Sequence, residues 1–137
     1  MNIFVTGTAG FIGFHVAQRL LEQGHAVTGY DGVTNYYDPA LKRARLVVLA
    51  KHSQYHNVEG MLEDMPRLAA AVAECKPEVV VHLAAQAGVR YSLEAPMSYI
   101  QSNVVGTANL LEVLRAAPPE HLVFASTSSV YGGNTKF

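Results

Sequence analysis

Short apolar runs alternate with helical patterns along all 137 residues of the chain. Apolar runs predict five strands, at 3–5, 26–30, 55–59, 79–82 and 122–125. Amphipathic spacing between them predicts four helices, at 11–23, 39–51, 65–74 and 97–115. Strands that are apolar throughout, such as the Val-Val-Val run at 79–81, are typical of a parallel sheet covered on both faces. We therefore predict an α/β fold, a doubly wound parallel sheet that stops before a sixth strand.

The spacing of apolar residues also predicts one apolar face on each helix. The first helix carries Ile12, Val16 and Leu20 on one stripe and meets a natural C-terminal cap at Gly24. The fourth helix places five apolar residues on one face: Ile100, Val104, Ala108, Leu111 and Leu114. The basic cluster at 42–45 is expected to form the solvated face of the second helix.

A glycine-rich segment, VTGTAGFIG, joins the first strand to the first helix. Gly7 permits a tight turn, Gly10 permits close approach of a pyrophosphate, and Gly13 permits close packing of the helix. Asp31 ends the second strand, where a carboxylate accepts both ribose hydroxyls and repels a 2′-phosphate. Together these features predict a Rossmann domain that binds NAD in preference to NADP. The alternative is a glycine turn with a capping Asp.

Three segments carry a family resemblance: ASTSSVYG near the C-terminus, YDGVTNYYDPALKRARL after the second strand, and HLAAQAGVRYSLEAPMSYIQSNVVGTANLLEVLR from the fourth strand onward. The sequence resembles the extended short-chain dehydrogenases/reductases of the NAD-dependent sugar-nucleotide epimerase/dehydratase family. Its closest likeness is to the UDP-glucuronate 4-epimerases. The resemblance implies that residues 1–137 are the N-terminal part of an NAD-binding Rossmann domain, and that the C-terminal substrate domain is absent.

The resemblance also implies which residues contact the NAD cofactor. They are Gly7, Gly10, Phe11, Ile12, Gly13, Asp31, Leu62, Leu83, Ala84, Ala85, Ala87 and Asn103. One position departs from the family pattern: Met61 stands where an Asp usually accepts a hydrogen bond from the adenine amino group. Leu62 can still offer its backbone to the adenine, and Asp64 is expected to cap the third helix. We therefore expect an adenine pocket with weaker or altered affinity.

For the sugar, the resemblance implies Thr127 as the catalytic hydroxyl, which holds the sugar 4-oxygen and assists proton transfer. Ser128 and Ser129 resemble hydroxyls that receive the glucuronate carboxylate. Arg90 is predicted to contact substrate or close the active site, with a surface or capping role as the alternative. The likeness to UDP-glucuronate 4-epimerases implies conversion of UDP-glucuronate to UDP-galacturonate through a 4-keto intermediate, with NAD accepting and returning a hydride.

That isomerase chemistry also needs a Tyr-x-x-x-Lys pair on the helix after the fifth strand. The chain contains no such pair there. Tyr131 and Lys136 are separated by four residues instead of three and lie in the Val-Tyr-Gly loop, so we reject them. We therefore expect the chain by itself to be inactive.

Two other functions stay open: a non-catalytic nucleotide-binding module, or a fragment of another NAD-dependent sugar-nucleotide epimerase or dehydratase. The dehydratases usually follow the catalytic Thr with Asp and Glu, which this chain lacks. His52 and His56 have a helical ligand spacing, but we expect surface histidines and no metal.

Composition bounds the partners and the location of the protein. A net charge of −1 does not indicate a nucleic-acid or membrane surface. The single cysteine and the lack of a signal-peptide pattern favour the cytoplasm. The resemblance implies NAD and a UDP-sugar as ligands, and a homodimer through the 97–115 helix.

Overall fold

Five parallel strands form one sheet in the computed structural model, which describes residues 1–133. The strands are β1 (Asn2–Thr6), β2 (Ala26–Asp31), β3 (Tyr55–Glu59), β4 (Val79–His82) and β5 (His121–Phe124). Their order across the sheet is β3-β2-β1-β4-β5, and every neighbouring pair is parallel. This arrangement confirms the predicted doubly wound sheet. Lys136 lies outside the described residues.

Helical segments connect the strands. They are α1 (Phe11–Glu22), α2 (Pro39–Leu49), α3 (Met65–Cys75), α4 (Pro96–Tyr99) and α5 (Gly106–Ala116). A π-helical segment, Ile100–Val105, joins α4 to α5, so the predicted fourth helix is one helical run with a wider turn inside it. Short 3₁₀ helices occur at Arg90–Leu93 and Ser128–Tyr131. No helix within residues 1–133 is long and apolar enough to cross a membrane.

The helix termini follow local sequence signals. The Asp38 carboxylate accepts a hydrogen bond from the Ala40 N–H at 2.9 Å, immediately before Pro39 begins α2. The Asp64 carboxylate accepts from the Arg67 N–H at 3.1 Å, which confirms its predicted role as the cap of α3. Gly24 adopts a φ of +84° just beyond α1, so the predicted C-terminal stop is confirmed as well.

The two larger of three apolar clusters lie on opposite faces of the sheet. Phe4 points from β1 into the core formed with α3 and α5. Its neighbours Ile3 and Val5 point into the other core, which includes residues of α1 and α2. This alternation along one strand is the reason why β1 is apolar at successive positions.

The predicted apolar stripe of α1 is confirmed only in part, because Leu20 packs against the core but Ile12 does not. Gly13, Ala17 and Leu21 are the buried residues of α1, whereas Ile12 is 64% exposed. Positions 13 and 17 carry small side chains, so the helix approaches the sheet closely. The face that carries Gly13, Ala17 and Leu21 therefore points toward the core. Ile12 is thereby left at the edge of the cavity described below.

The face predicted for the fourth helix also lies mostly outside the core. Ile100, Val104, Ala108 and Leu111 are exposed, while Leu114 is buried together with Leu110 and Val113. A π-helical turn contains more residues than an α-helical turn, so it shifts the phase of every side chain that follows it.

The fifth strand forms where the sequence predicts it, but it is not buried. Val123 is 43% exposed and Phe124 is 51% exposed. β5 is an edge strand that pairs with β4 on one side, and within residues 1–133 no α-helix follows it to cover its side chains.

Candidate functional site

A cavity of about 440 Å³ opens at the carboxyl ends of the strands. In open parallel sheets, ligands bind at this edge, where the strand order reverses between β1 and β4. Eleven of the twelve residues predicted to contact NAD line the cavity: Gly7, Gly10, Phe11, Ile12, Gly13, Asp31, Leu62, Leu83, Ala84, Ala85 and Ala87. These residues lie at or after the carboxyl ends of β1, β2, β3 and β4, which meet at this edge of the sheet.

The glycine turn after β1 has the geometry that the sequence predicts. Gly7 adopts a φ of +82°, which side chains rarely allow, and its N–H donates to the Tyr30 carbonyl at 2.8 Å. A Cβ on Gly13 would collide with the Gly7 carbonyl, so α1 packs directly on the turn.

The amino end of α1 opens toward the cavity. Its N-cap is Gly10, which has no side chain to accept hydrogen bonds from the first-turn N–H groups. These N–H groups and the helix dipole form an anion site, so the turn fits the pyrophosphate of a dinucleotide.

Asp31 is held in place by two backbone donors. One carboxylate oxygen accepts from the Ala9 N–H at 2.9 Å, and the other accepts from the Val33 N–H at 2.8 Å. Each oxygen retains a further lone pair for a ribose hydroxyl. Val33 has a φ of +46°, an uncommon conformation for a β-branched residue, so the Asp31 contact stabilises a strained loop. Asp31 therefore joins the glycine turn to the loop after β2, but it does not cap α1.

The expectation of a solvated basic face on α2 was wrong for two of its three charges. Lys42 is only 5% exposed, and its ammonium donates to the Thr34 carbonyl at 2.6 Å. The Arg45 guanidinium donates to the Ala9 carbonyl at 3.0 Å, and both side chains line the cavity. Only Arg43 is exposed as expected, and it pairs with Glu59 at 3.3 Å.

Burial lowers the pKa of Lys42, while the nearby Asp31 charge acts in the opposite direction. A signal for these cations was present in the sequence. Lys42 and Arg45 are three residues apart, which places them on one helix face. Sequence reasoning missed that this face turns toward Asp31.

A hydroxyl–imidazole network positions the loop after β4. The Thr6 hydroxyl oxygen accepts from the N–H groups of Leu83 at 3.1 Å and Ala84 at 3.0 Å. It lies 2.8 Å from Nδ1 of the buried His82, whose Nε2 lies 3.2 Å from the Thr107 hydroxyl. Because the Thr6 oxygen already accepts two bonds, its proton is directed to Nδ1, and Nε2 carries the imidazole proton. The network fixes the backbone of two cavity residues.

Asn103 contributes from the π-helical segment without lining the cavity. Its side-chain oxygen accepts from the Gln86 N–H at 2.7 Å, and its amide donates to the Gln86 carbonyl at 3.1 Å. Gln86 lines the cavity, so Asn103 is a positioning residue for the loop after β4.

Three tyrosines connect the loops after β2 and β4. The rings of Tyr36 and Tyr91 lie 4.8 Å apart, and Tyr91 lies 6.4 Å from Tyr99. The Tyr99 hydroxyl donates to the Ala87 carbonyl at 3.0 Å and also contacts the Gly88 carbonyl. This tyrosine cluster was not predicted, because its members come from three separate segments.

Residues 60–63 form the β3 end of the cavity. The Met61 thioether packs against Gly32, and the Met61 carbonyl accepts from the Tyr30 hydroxyl at 3.0 Å. A Cβ on Gly106 would meet the Leu62 side chain. The helix after the π segment therefore packs on the loop after β3.

The residues predicted for the sugar do not line the cavity. Arg90, Thr127, Ser128 and Ser129 are exposed. Thr127 follows β5 and its hydroxyl accepts from the Ser129 N–H at 3.2 Å, at the start of the 3₁₀ helix that includes Tyr131. Ala125, two residues earlier, does line the cavity. The roles given to these four residues stay predictions.

Metal ligation receives no support from side-chain positions. Across residues 1–133, no three His, Cys, Asp or Glu side chains come together as a set of ligands. His52 lies in the turn after α2, and His56 lies on β3.

Known proteins are similar to this chain in sequence and fold. The profile of the NAD dependent epimerase/dehydratase family matches residues 3–137. A probable UDP-glucuronate 4-epimerase of Rhizobium meliloti is 54% identical over 136 residues, covering 99% of this chain and 40% of that protein. UDP-glucuronate 4-epimerase 1 of Arabidopsis thaliana is 49% identical over 137 residues, covering 99% of this chain and 32% of that protein.

A solved structure extends the comparison to three dimensions. The UDP-glucuronic acid 4-epimerase of Bacillus cereus, in complex with UDP-glucuronic acid and NAD, superimposes with a TM-score of 0.90 at 33% identity. The match covers 99% of this chain and 43% of that one, so the chain spans less than half the length of these relatives. The chain belongs to the NAD-dependent epimerase/dehydratase family.

Proposed function

We propose that the chain binds NAD in this cavity as the N-terminal part of a UDP-glucuronate 4-epimerase. The observation that carries the proposal is the convergence of three features on one cavity: the glycine turn, the uncapped amino end of α1, and Asp31. The relatives named above are UDP-glucuronate epimerases, and the Bacillus cereus enzyme holds NAD and UDP-glucuronic acid. Its substrate and product would be UDP-glucuronate and UDP-galacturonate.

Each part of the cavity suits one part of the dinucleotide. The first-turn N–H groups of α1 would bind the pyrophosphate, and Asp31 would accept hydrogen bonds from the adenosine ribose. Thr6 fixes the backbone of Leu83 and Ala84. The backbone of these two residues would lie against the rest of the cofactor. NAD supplies hydride transfer when bound, whereas the protein binds and orients. Thr127 would hold the sugar 4-oxygen, with Ser128 and Ser129 receiving the carboxylate.

A comparison of NAD with NADP tests the cofactor assignment. We expect NAD to raise the melting temperature of the purified chain and NADP to raise it much less, because Asp31 repels a 2′-phosphate. Asp31→Asn should narrow the difference between the melting-temperature shifts produced by NAD and by NADP. The control is Glu22→Gln, which removes an exposed charge paired with Arg19 at 3.7 Å. Equal shifts with both dinucleotides would contradict the role of Asp31, and no shift with either would contradict the proposal.

We further propose that the 137-residue chain does not catalyse epimerisation by itself. The support is the lack of a Tyr-x-x-x-Lys pair after the fifth strand. Chromatography of the two UDP-sugars would detect turnover by the purified chain. Sustained conversion of UDP-glucuronate to UDP-galacturonate would overturn the proposed lack of activity. NAD binding without turnover is also the behaviour of a non-catalytic nucleotide-binding module. Recovery of turnover when the C-terminal part of a relative is supplied would favour the epimerase over that module.

Self-association through the 97–115 helix is a proposal supported by exposed apolar side chains. Met97, Val104 and Leu111 are 60%, 59% and 48% exposed, respectively. Sedimentation velocity should show a dimer that Val104→Lys weakens. A monomer at all concentrations would contradict the proposal. A cytoplasmic location likewise stays a prediction.

A further inference from the structure

The β3 end of the cavity contains an unsatisfied carboxylate. Oε2 of Glu63 is buried and has no hydrogen-bond partner among residues 1–133. Glu63 lines the cavity next to Met61 and Leu62. A carboxylate oxygen withdrawn from water without a donor is costly, so a rotation of the Glu63 side chain that brings this oxygen to a donor in the cavity is favourable.

The backbone carbonyls of residues 61–63 are already engaged. The Tyr30 hydroxyl donates to the Met61 carbonyl at 3.0 Å. The Asn109 amide donates to the Leu62 carbonyl at 3.1 Å and to the Glu63 carbonyl at 3.2 Å. These contacts hold the backbone of the β3 end in place.

The side chains of this end offer one strong acceptor. Met61 occupies the position where the resemblance implies an adenine-binding Asp, and a thioether sulfur accepts hydrogen bonds only weakly. Leu62 has no polar side-chain atom. The Glu63 carboxylate is therefore the strong side-chain acceptor within residues 60–63.

We propose that Glu63 determines the base specificity of the cavity by accepting a hydrogen bond from the exocyclic amino group of adenine. This inference rests on the proposed binding of NAD. Glu63 thereby supplies, from two positions further along the loop, the acceptor that Met61 cannot supply. Hypoxanthine carries an oxygen in place of the amino group, and a carboxylate repels that oxygen.

The test is a calorimetric titration of the 137-residue chain with NAD and with its hypoxanthine analogue. We expect the chain to bind NAD at least about tenfold more tightly, as for hydrogen bonds to charged groups. Glu63→Gln should bring the two affinities close together, because an amide can accept from adenine or donate to hypoxanthine. The matched control, Glu22→Gln, should preserve the preference, since Glu22 is an exposed residue of α1.

Each outcome separates this inference from the proposed function. Equal affinities in the unmodified chain, or an unchanged preference in Glu63→Gln, would overturn the role of Glu63 while leaving NAD binding intact. Failure of both dinucleotides to bind would overturn the proposed function and this inference together. Met61→Asp added to Glu63→Gln should restore the preference for NAD, and a double variant that binds both dinucleotides alike would count against a hydrogen bond at this end.

Discussion

His82 should make the fold sensitive to mild acid. The imidazole is 3% exposed, and burial lowers its pKa from 6.5 to about 4. Protonation would also place a proton on Nδ1, which accepts from the Thr6 hydroxyl 2.8 Å away. The unfolded chain therefore binds a proton at a pH where the folded chain does not. Stability is fully present above pH 6.5 and is lost as the pH falls toward about 4.

The size of the effect follows from the shift. Each pH unit between the unfolded and folded pKa values is worth about 1.4 kcal/mol. Acidification from about pH 7.5 to about pH 5 crosses roughly 1.5 of these units, so His82 should remove about 2 kcal/mol from the free energy of unfolding. That is a substantial part of the stability of a typical domain.

Urea denaturation at both pH values measures this loss, with His82→Gln as the comparison. Gln offers a neutral donor and acceptor but does not titrate in this range. We expect the unmodified chain to lose about 2 kcal/mol more than the variant between the two pH values, whatever the variant costs at neutral pH. Equal losses in the two proteins would refute the reasoning, because other titrating groups are common to both.

Three further substitutions test the site. Thr6→Val keeps the side-chain volume but leaves two loop N–H groups without an acceptor. It should lower the free energy of unfolding, measured by urea denaturation, by about 1–3 kcal/mol, and it should weaken NAD binding. Unchanged stability would contradict the hydrogen-bond network around Thr6. Gly13→Ala should abolish NAD binding and lower the melting temperature, because the added Cβ collides with the preceding turn; near-normal calorimetric affinity would contradict this. Tyr99→Phe should lower NAD affinity several-fold with little change in melting temperature, because it removes only the hydroxyl that holds the loop after β4. A large stability loss would contradict that view.

Much of the fold could be predicted because its signals are local. Apolar runs and helical periods placed all five strands and the main helices within a few residues, including the weakly apolar β3. Asp64, Gly24 and the glycine turn act through their own backbone neighbourhood, so their positions followed from residue type and spacing. The glycine motif and Asp31 could be placed at one cavity for the same reason, because they follow consecutive parallel strands, whereas the residues after β3 and β4 were predicted from the family resemblance.

The sequence by itself determined the strand and helix order, the glycine turn, and the acid that ends β2. Tertiary structure alone decided which residues meet across the sheet. Thr6 and His82 are 76 positions apart and touch because β1 and β4 pair in a register that sets them side by side. Likewise, Lys42 faces Asp31 because α2 packs beside the glycine turn, which no local period specifies. Local backbone preferences determine where helices and strands form, whereas contacts between distant segments depend on how the sheet and helices pack together.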